Sequence, residues 1–202
     1  MYQFNFKEIS DKDKKKIVQG SIVPRPIAWV TTENEAGVVN LAPFSFFQML
    51  TKTLVGISFS RLDGKLKHTP TNLLKSGEGV IHIASQSLNE KLDLTSQLVG
   101  DNVSEVELAG LTLTESVKVK PKAIMEANIR LEVKVEQHVK LYDEKGNVEA
   151  DFIILRVVYA HLDESVYDKE SGYILVDKLD PLSRLAGPNY GKTLANGFKR
   201  KF

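Results

Sequence analysis

The chain contains no cysteine. That absence removes disulfides, thiolate metal ligands, cysteine-held iron–sulfur clusters and thiol nucleophiles in one step, and it fits a reducing compartment. An excess of one charge is missing too. Lys and Arg number 27 against 26 Asp and Glu, a formal net charge of +1, so no bulk attraction to nucleic acid or to an anionic membrane exists. No apolar run approaches the length of a membrane span. The opening "MYQFNFKEISDKDKKKIV" lacks the apolar core of a secretion signal. The expectation is a cytoplasmic protein that engages neither membrane nor nucleic acid.

Familiar catalytic signatures are absent as well. No G-x-G-x-x-G follows a strand, no Walker loop is present and no G-x-S-x-G elbow occurs; the "GEG" at 77–79 leads into a strand instead of a helix. His68, His82, His138 and His161 lack metal-ligand spacing, so no metal site is expected and the histidines read as structural or surface residues.

What is present is an ordinary globular composition, 42% hydrophobic and 26% charged over 202 residues, without repeats or a compositional break. One domain spanning 1–202 is expected. "SDKDKKKIVQG" predicts a short helix capped by Ser10 and ending before Gly20. β signals then dominate. "IAWVTTE" (27–33) and "VVNLAPF" (38–44) flank a turn and form a hairpin, "LVGISFS" (54–60) is a third strand and "GVIHIAS" (79–85) a fourth. "HTPTNLLKSG" predicts a helix with Thr69 as N-cap and Gly77 as its stop. "LNEKLDLTSQL" and "VSEVELAG" carry the apolar spacing of two more short helices. Over 127–141, Ile129, Leu131, Val133 and Val135 alternate with Arg130, Glu132, Lys134 and Glu136, a strand with one wet face. "DEKGN" turns the chain and 151–162 returns antiparallel. From about 163 the chain reads as polar loop. This pattern predicts a mainly β fold, a closed or partly closed antiparallel barrel with a few helices, against a β-sandwich as the alternative.

Three stretches concentrate polar residues where ordinary structure does not need them. In "VPRPIAWVTT" two prolines restrict Arg25. In "NLAPFSFF" Asn40, Pro43 and Ser45 break an apolar run, and Pro43 is expected to interrupt the ladder. In "FSRLDGKLKHTPTN" Ser60, Arg61, Lys65, Lys67 and Thr69 surround a helix start, a plausible phosphate cradle. A surface arginine, an edge strand and a solubilising loop are the plain readings of the three taken singly. Taken together they suit a planar flavin, with exposed backbone groups for the ring edge and a basic, hydroxyl-rich pocket for the phosphate.

The motifs "RPIAWVTT", "NLAPFSFF" and "KHTPTN", with the tail "PLSRLAGPNY", resemble the flavin reductase-like, flavoredoxin-type family of FMN-binding split barrels. The resemblance covers about 18–191 and implies an antiparallel Greek-key split barrel. It implies FMN as cofactor, with cofactor-binding residues Arg25, Trp29, Thr31, Asn40, Leu41, Ala42, Ser45, Ser60, Arg61, Lys67, Thr69, Arg184 and Tyr190. It further implies a homodimer with the flavin near the interface, a small-molecule flavin or redox partner, and NADH or NADPH as co-substrate. The implied function is an NAD(P)H:flavin oxidoreductase. An electron-transfer flavoprotein without its own NAD(P)H turnover and a non-catalytic flavin-binding protein are the alternatives. Hydride transfer to a flavin needs no obligatory acid–base side chain, so no catalytic residue is assigned. Three departures stand out. His68 occupies a position that is usually Asp, Ala186 one that is usually Gly, and the cysteine some relatives carry near Glu132 and Val133 is missing, which excludes a mechanism using that thiol.

Overall fold

Short runs of β-branched and aromatic residues separated by turn residues build one curled sheet. A computed structural model describes residues 1–192. Residues 193–202 of the expected 1–202 span lie outside the described residues. The sheet has seven strands in the order Val39–Phe44, Ala28–Glu33, Glu78–Ile83, Ile129–Tyr142, Val148–Leu162, Leu54–Ser60 and Phe47–Met49. Every neighbouring pair is antiparallel.

Five of these strands send side chains into one buried cluster that includes Ala28, Val30, Val55, Ile57, Phe59, Ile81, Val133, Ile153 and Leu155. Phe44 and Phe47, from the first and last strands, pack against the same cluster, which a flat sheet could not achieve, so the sheet wraps around it. The wrap is not closed by hydrogen bonds: the strands Val39–Phe44 and Phe47–Met49 remain the two ends of the order. Across the split, Phe44 packs edge-on against Phe59 with ring centroids 4.6 Å apart. Leu73, from the helix His68–Ser76, joins the same cluster. This is the split barrel expected, and the unbroken pairing of all seven strands in one sheet rules out the two separate sheets of a sandwich.

The outer face of the hairpin buries a second cluster. Ile27, Trp29, Val39 and Leu41 pack against Leu92, Val106, Ile124 and Leu182. Leu92 comes from the helix Asn89–Leu94 and Val106 from the helix Glu105–Leu108. Each of these apolar side chains contributes about 1.5–3 kcal/mol on full burial. The terminal segment is more ordered than its polar composition suggests. It holds a short hairpin, a helical turn at Val176–Leu179, and strands Leu182–Arg184 and Tyr190–Lys192 that pair alongside Arg25–Pro26.

Several local expectations need correction. The first helix runs Asp11–Ser21, so Gly20 lies inside it, while Ser10 caps it as expected by accepting from Asp13 N at 3.2 Å. The second helix starts at His68 with Lys67 as N-cap, because the Thr69 hydroxyl is bonded elsewhere; Gly77 ends it at φ 75°, a conformation glycine adopts without strain. The fourth strand is Glu78–Ile83, shifted toward its N-terminus. Pro43 does not interrupt the ladder: pairing continues through Trp29↔Pro43 and Ala28↔Phe44. Its ring nitrogen faces the open edge of the sheet, where no donor is needed. Glu132, expected on a wet face, is fully buried. Its carboxylate accepts from Val117 N at 2.7 Å, Lys118 N at 2.6 Å and His161 Nε2 at 2.7 Å, because the 117–118 segment folds over that face.

His82 is the structural histidine expected. It is fully buried, its Nδ1 lies 2.8 Å from Trp29 O, and its Nε2 accepts from Ile124 N at 3.0 Å. The accepting Nε2 places the single proton on Nδ1. Burial pushes this imidazole from 6.5 down to about 3. A folded pKa below the unfolded one means the unfolded chain binds the proton first. Stability is therefore complete above about pH 6.5 and falls by up to about 1.4 kcal/mol per pH unit as acid is added toward pH 3. His82→Gln keeps one donor and one acceptor in place, so it should fold and flatten the stability slope between pH 6.5 and 5 in urea titrations. An unchanged slope would assign the acid sensitivity to another group.

Candidate functional site

The sheet edge at Val39–Phe44 is where part of the expected site comes together. In this hairpin residues 40, 42 and 44 direct their backbone groups to the neighbouring strand, and 39, 41 and 43 direct theirs outward. Two outward groups are taken: Val39 O accepts from Ser104 Oγ at 2.6 Å and Leu41 N donates to Glu105 Oε2 at 2.9 Å. From Leu41 C=O through Pro43, no hydrogen bond among the described residues occupies this edge.

That open stretch borders a cavity of about 320 Å³. Asn40, Ala42, Pro43 and Phe44 form one wall, the loop 62–66 and the helix start Lys67–Thr69 a second, and the segment Thr95–Val99 with Glu105 a third. Of the residues expected to bind a ligand, the structure brings Asn40, Ala42, Lys67 and Thr69 together here. Lys67 and Lys65 are exposed at its rim, and among the described residues neither has an ion pair. Among the described residues no side chain caps the first turn of the helix His68–Ser76, which leaves the His68 and Thr69 N–H groups available.

A buried polar network supports these walls. Asn40 Nδ2 donates to both oxygens of Glu105, at 3.0 and 2.9 Å, while Asn40 Oδ1 accepts from Thr69 Oγ1 at 2.8 Å. Asn72 Nδ2 in turn donates to Thr32 Oγ1 at 3.1 Å. The Asn40 amide is thus engaged by the protein at both ends, and it fixes the strand edge and the helix start relative to each other. On the far side of the cavity Thr95 Oγ1 accepts from Trp29 Nε1 at 2.8 Å and donates to Leu92 O at 2.8 Å.

The remaining expected residues lie elsewhere or act at one remove. Trp29, Thr31 and Leu41 are fully buried; Trp29 reaches the cavity through Thr95, and Thr31 Oγ1 has no hydrogen-bond partner among the described residues. Arg61 grips Asp151 with Nε at 2.8 Å and Nη2 at 3.2 Å, and Nη1 donates to Gly64 O at 3.0 Å. It therefore holds the turn that presents Lys65, a turn with Asp63 at φ 50° and Gly64 at φ 73°. Burial pushes the Asp151 carboxyl up, but Arg61 and His138 outweigh it and keep the group below its usual range. Ser60 is exposed and Ser45 half-buried, and neither lines the cavity.

Arg25, Arg184 and Tyr190 gather at a different place. Arg25 is nearly buried and donates to three carbonyls: Gln19 O at 2.6 Å, Ile22 O at 2.7 Å and Leu185 O at 3.1 Å. The Arg184 guanidinium lies 4.7 Å from the Tyr190 ring centre, and Tyr190 OH donates to Asp93 Oδ1 at 3.1 Å.

Glu105 and Thr95–Val99 escaped the sequence reading. "VSEVELAG" shows only a short amphipathic turn, and the partner Asn40 is 65 positions away, so no local pattern marks the carboxylate as buried. Glu105→Ala would strand Asn40 Nδ2 and Leu41 N away from water. The expected loss is about 2–4 kcal/mol of stability, since unpaired buried donors keep their full desolvation cost. Urea unfolding checks this; a change within about 0.5 kcal/mol, typical of surface positions, contradicts the clamp.

Comparison with known proteins agrees with this architecture. The profile of the flavin reductase like domain matches residues 20–180. An uncharacterized protein, YwrF, of Bacillus subtilis (strain 168) is 42% identical over 194 residues, covering 95% of each chain. The crystal structure of nitrilotriacetate monooxygenase component B from Bacillus cereus superposes with a TM-score of 0.94 at 38% identity, covering 99% of this chain and 98% of the other. The 2-nitrobenzoate 2-nitroreductase NbaA of Pseudomonas fluorescens follows at TM-score 0.87 and 25% identity, over 100% and 96% of the two chains. The sheet order, the motif-bearing edge strand and these matches lead to one statement: the chain belongs to the flavin reductase-like family.

Proposed function

We propose that this chain is an FMN-binding oxidoreductase, an NAD(P)H:flavin reductase that passes hydride through bound FMN to a flavin or another acceptor. The observation that carries the reading is the cavity at the open sheet edge. It combines two unpaired ammonium groups, an uncapped helix start and free strand backbone in one place. Family membership supports the same reading.

The donor set fits the group. Lys67, Lys65 and the N–H groups leading the helix His68–Ser76 suit a phosphate dianion. The strand edge from Leu41 C=O to Pro43 and the small side chain of Ala42 suit the edge of a flat ring, with Phe44, Leu62, Leu66 and Leu98 as apolar neighbours. FMN supplies a two-electron centre that accepts hydride. The chain's own part is binding and orientation. Asn40 and Glu105 hold the strand edge, and Trp29 holds Thr95. Arg25, Arg184 and Tyr190 belong to the terminal brace, and they serve the site by fixing the strand that follows Arg25. A homodimer with the flavin near the interface and a cytoplasmic location complete the proposal.

Lys67→Ala should weaken FMN binding by about 1.5–3 kcal/mol, the worth of a charge-assisted bond. That is roughly a ten- to hundredfold rise in Kd by flavin fluorescence. Unchanged affinity would move the phosphate away from this helix start. With FMN bound and oxygen excluded, NADH or NADPH should bleach the visible flavin band within a turnover. Bleaching by dithionite alone would instead identify an electron carrier.

A further inference from the structure

The segment 95–103 walls the cavity with residues 95–99 and is fastened at its two ends. At one end Thr95, fully buried, accepts from Trp29 Nε1 and donates to Leu92 O. At the other, Asn34 Nδ2 donates to Asp101 O at 2.8 Å, and Ser104 Oγ donates to Val39 O at 2.6 Å. Between these ends the chain packs against little. Leu98 lines the cavity yet is 72% exposed, an apolar side chain left in water that an occupant of the cavity would cover. A Cβ on Gly100 would meet only Asn102 Oδ1, at 3.2 Å.

One contact crosses from this segment to the helix His68–Ser76 and so joins two walls of the cavity. His68 Nε2 lies 2.7 Å from Asp101 Oδ1, and among the described residues no other hydrogen bond or ion pair links the two elements. An aspartate at 68 would face Asp101 with like charge, so the contact depends on the histidine that departs from the family motif. Both side chains are open to water, 38% and 85% exposed, and pairs of this kind hold weakly. A weak tie in the middle with firm ends is the construction of a strap that opens and recloses.

We propose that 96–101 is a strap, latched by His68 and Asp101, whose opening admits and releases the ligand of the cavity. The two are positioning residues: they set how fast the ligand exchanges and take no part in chemistry. The ligand class is the phosphate-bearing one that Lys65, Lys67 and the helix start suit. Naming that ligand FMN rests on the reading above, whereas the latch rests on its own contacts.

Stopped-flow fluorescence of FMN with flavin-free protein separates association from dissociation. Asp101→Ala removes the latch carboxylate and keeps the carbonyl that Asn34 holds. Both rates are expected to rise together by about two- to fivefold, the worth of an exposed pair, with Kd little changed. His68→Ala should speed dissociation by the same factor, and the double variant should add nothing further, as two halves of one contact require. Additive effects, unchanged rates, or a dissociation rate that rises alone would each overturn the gate, the last because it marks a direct ligand contact. Hydrogen exchange over 96–103 in flavin-free protein needs no ligand at all. Exchange there follows opening, so Asp101→Ala should speed it severalfold, and unchanged exchange overturns the latch. Failure of the wild type to bind FMN would overturn the flavin reading instead, and the exchange result would still decide the latch.

Discussion

The carboxylate of Glu105 is the contact on which the rest of the site depends. It is 3% exposed, yet among the described residues it has no cationic partner. Its charge is met by the Asn40 amide and by Leu41 N, both on the edge strand. A buried charge held by N–H donors costs too much to leave half-satisfied. The strand edge, the helix start reached through Thr69 and the short helix that carries Glu105 are therefore locked as a unit. The lock also grades the cavity electrically, with an anion in one wall and the ammonium groups of Lys65 and Lys67 at the opposite rim. A ligand with one anionic end meets a built-in direction.

The barrel makes that lock affordable. Five strands converge on a single apolar cluster, and Phe44 with Phe59 spans the split without hydrogen bonds. Because backbone pairing stops at Val39–Phe44, the core holds the edge strand in place while its outer groups stay open. A closed barrel would have consumed them.

Much of this was legible in the sequence, for reasons that differ by residue. The long hairpin 129–162 announced itself through alternation, and Gly77 and Ser10 marked helix ends through conformations and hydrogen bonds that few other residues supply. Lys67, Thr69 and Asn40 stood out because polar residues interrupted apolar runs, and the structure places them with Ala42 around one cavity. Failures came where a distant segment changed a residue's surroundings. Glu132 alternates like a surface residue, and only the 117–118 segment folding over it makes it buried. Arg25 and Arg61 stood out because their flanks are rigid or basic, which says nothing of the partners they take within the fold. Their partners, Leu185 and Asp151, lie 160 and 90 positions away, beyond the reach of any local pattern. Pro43 was recognised as special for the right reason, its missing donor, but that nitrogen lies on the open side of the strand.

Arg25 has a further consequence for how the molecule is assembled. The helix Asp11–Ser21 buries no side chain, so little apolar surface fastens it. One guanidinium ties its end to the loop at Leu185, across nearly the full length of the chain. Such a contact closes a loop that includes the whole barrel, and its entropic cost falls only once the barrel has brought the ends together. The end of the helix and the loop at Leu185 are thus latched by one guanidinium on three carbonyls, a contact whose loop-closure cost is smallest once the barrel has brought the two segments together.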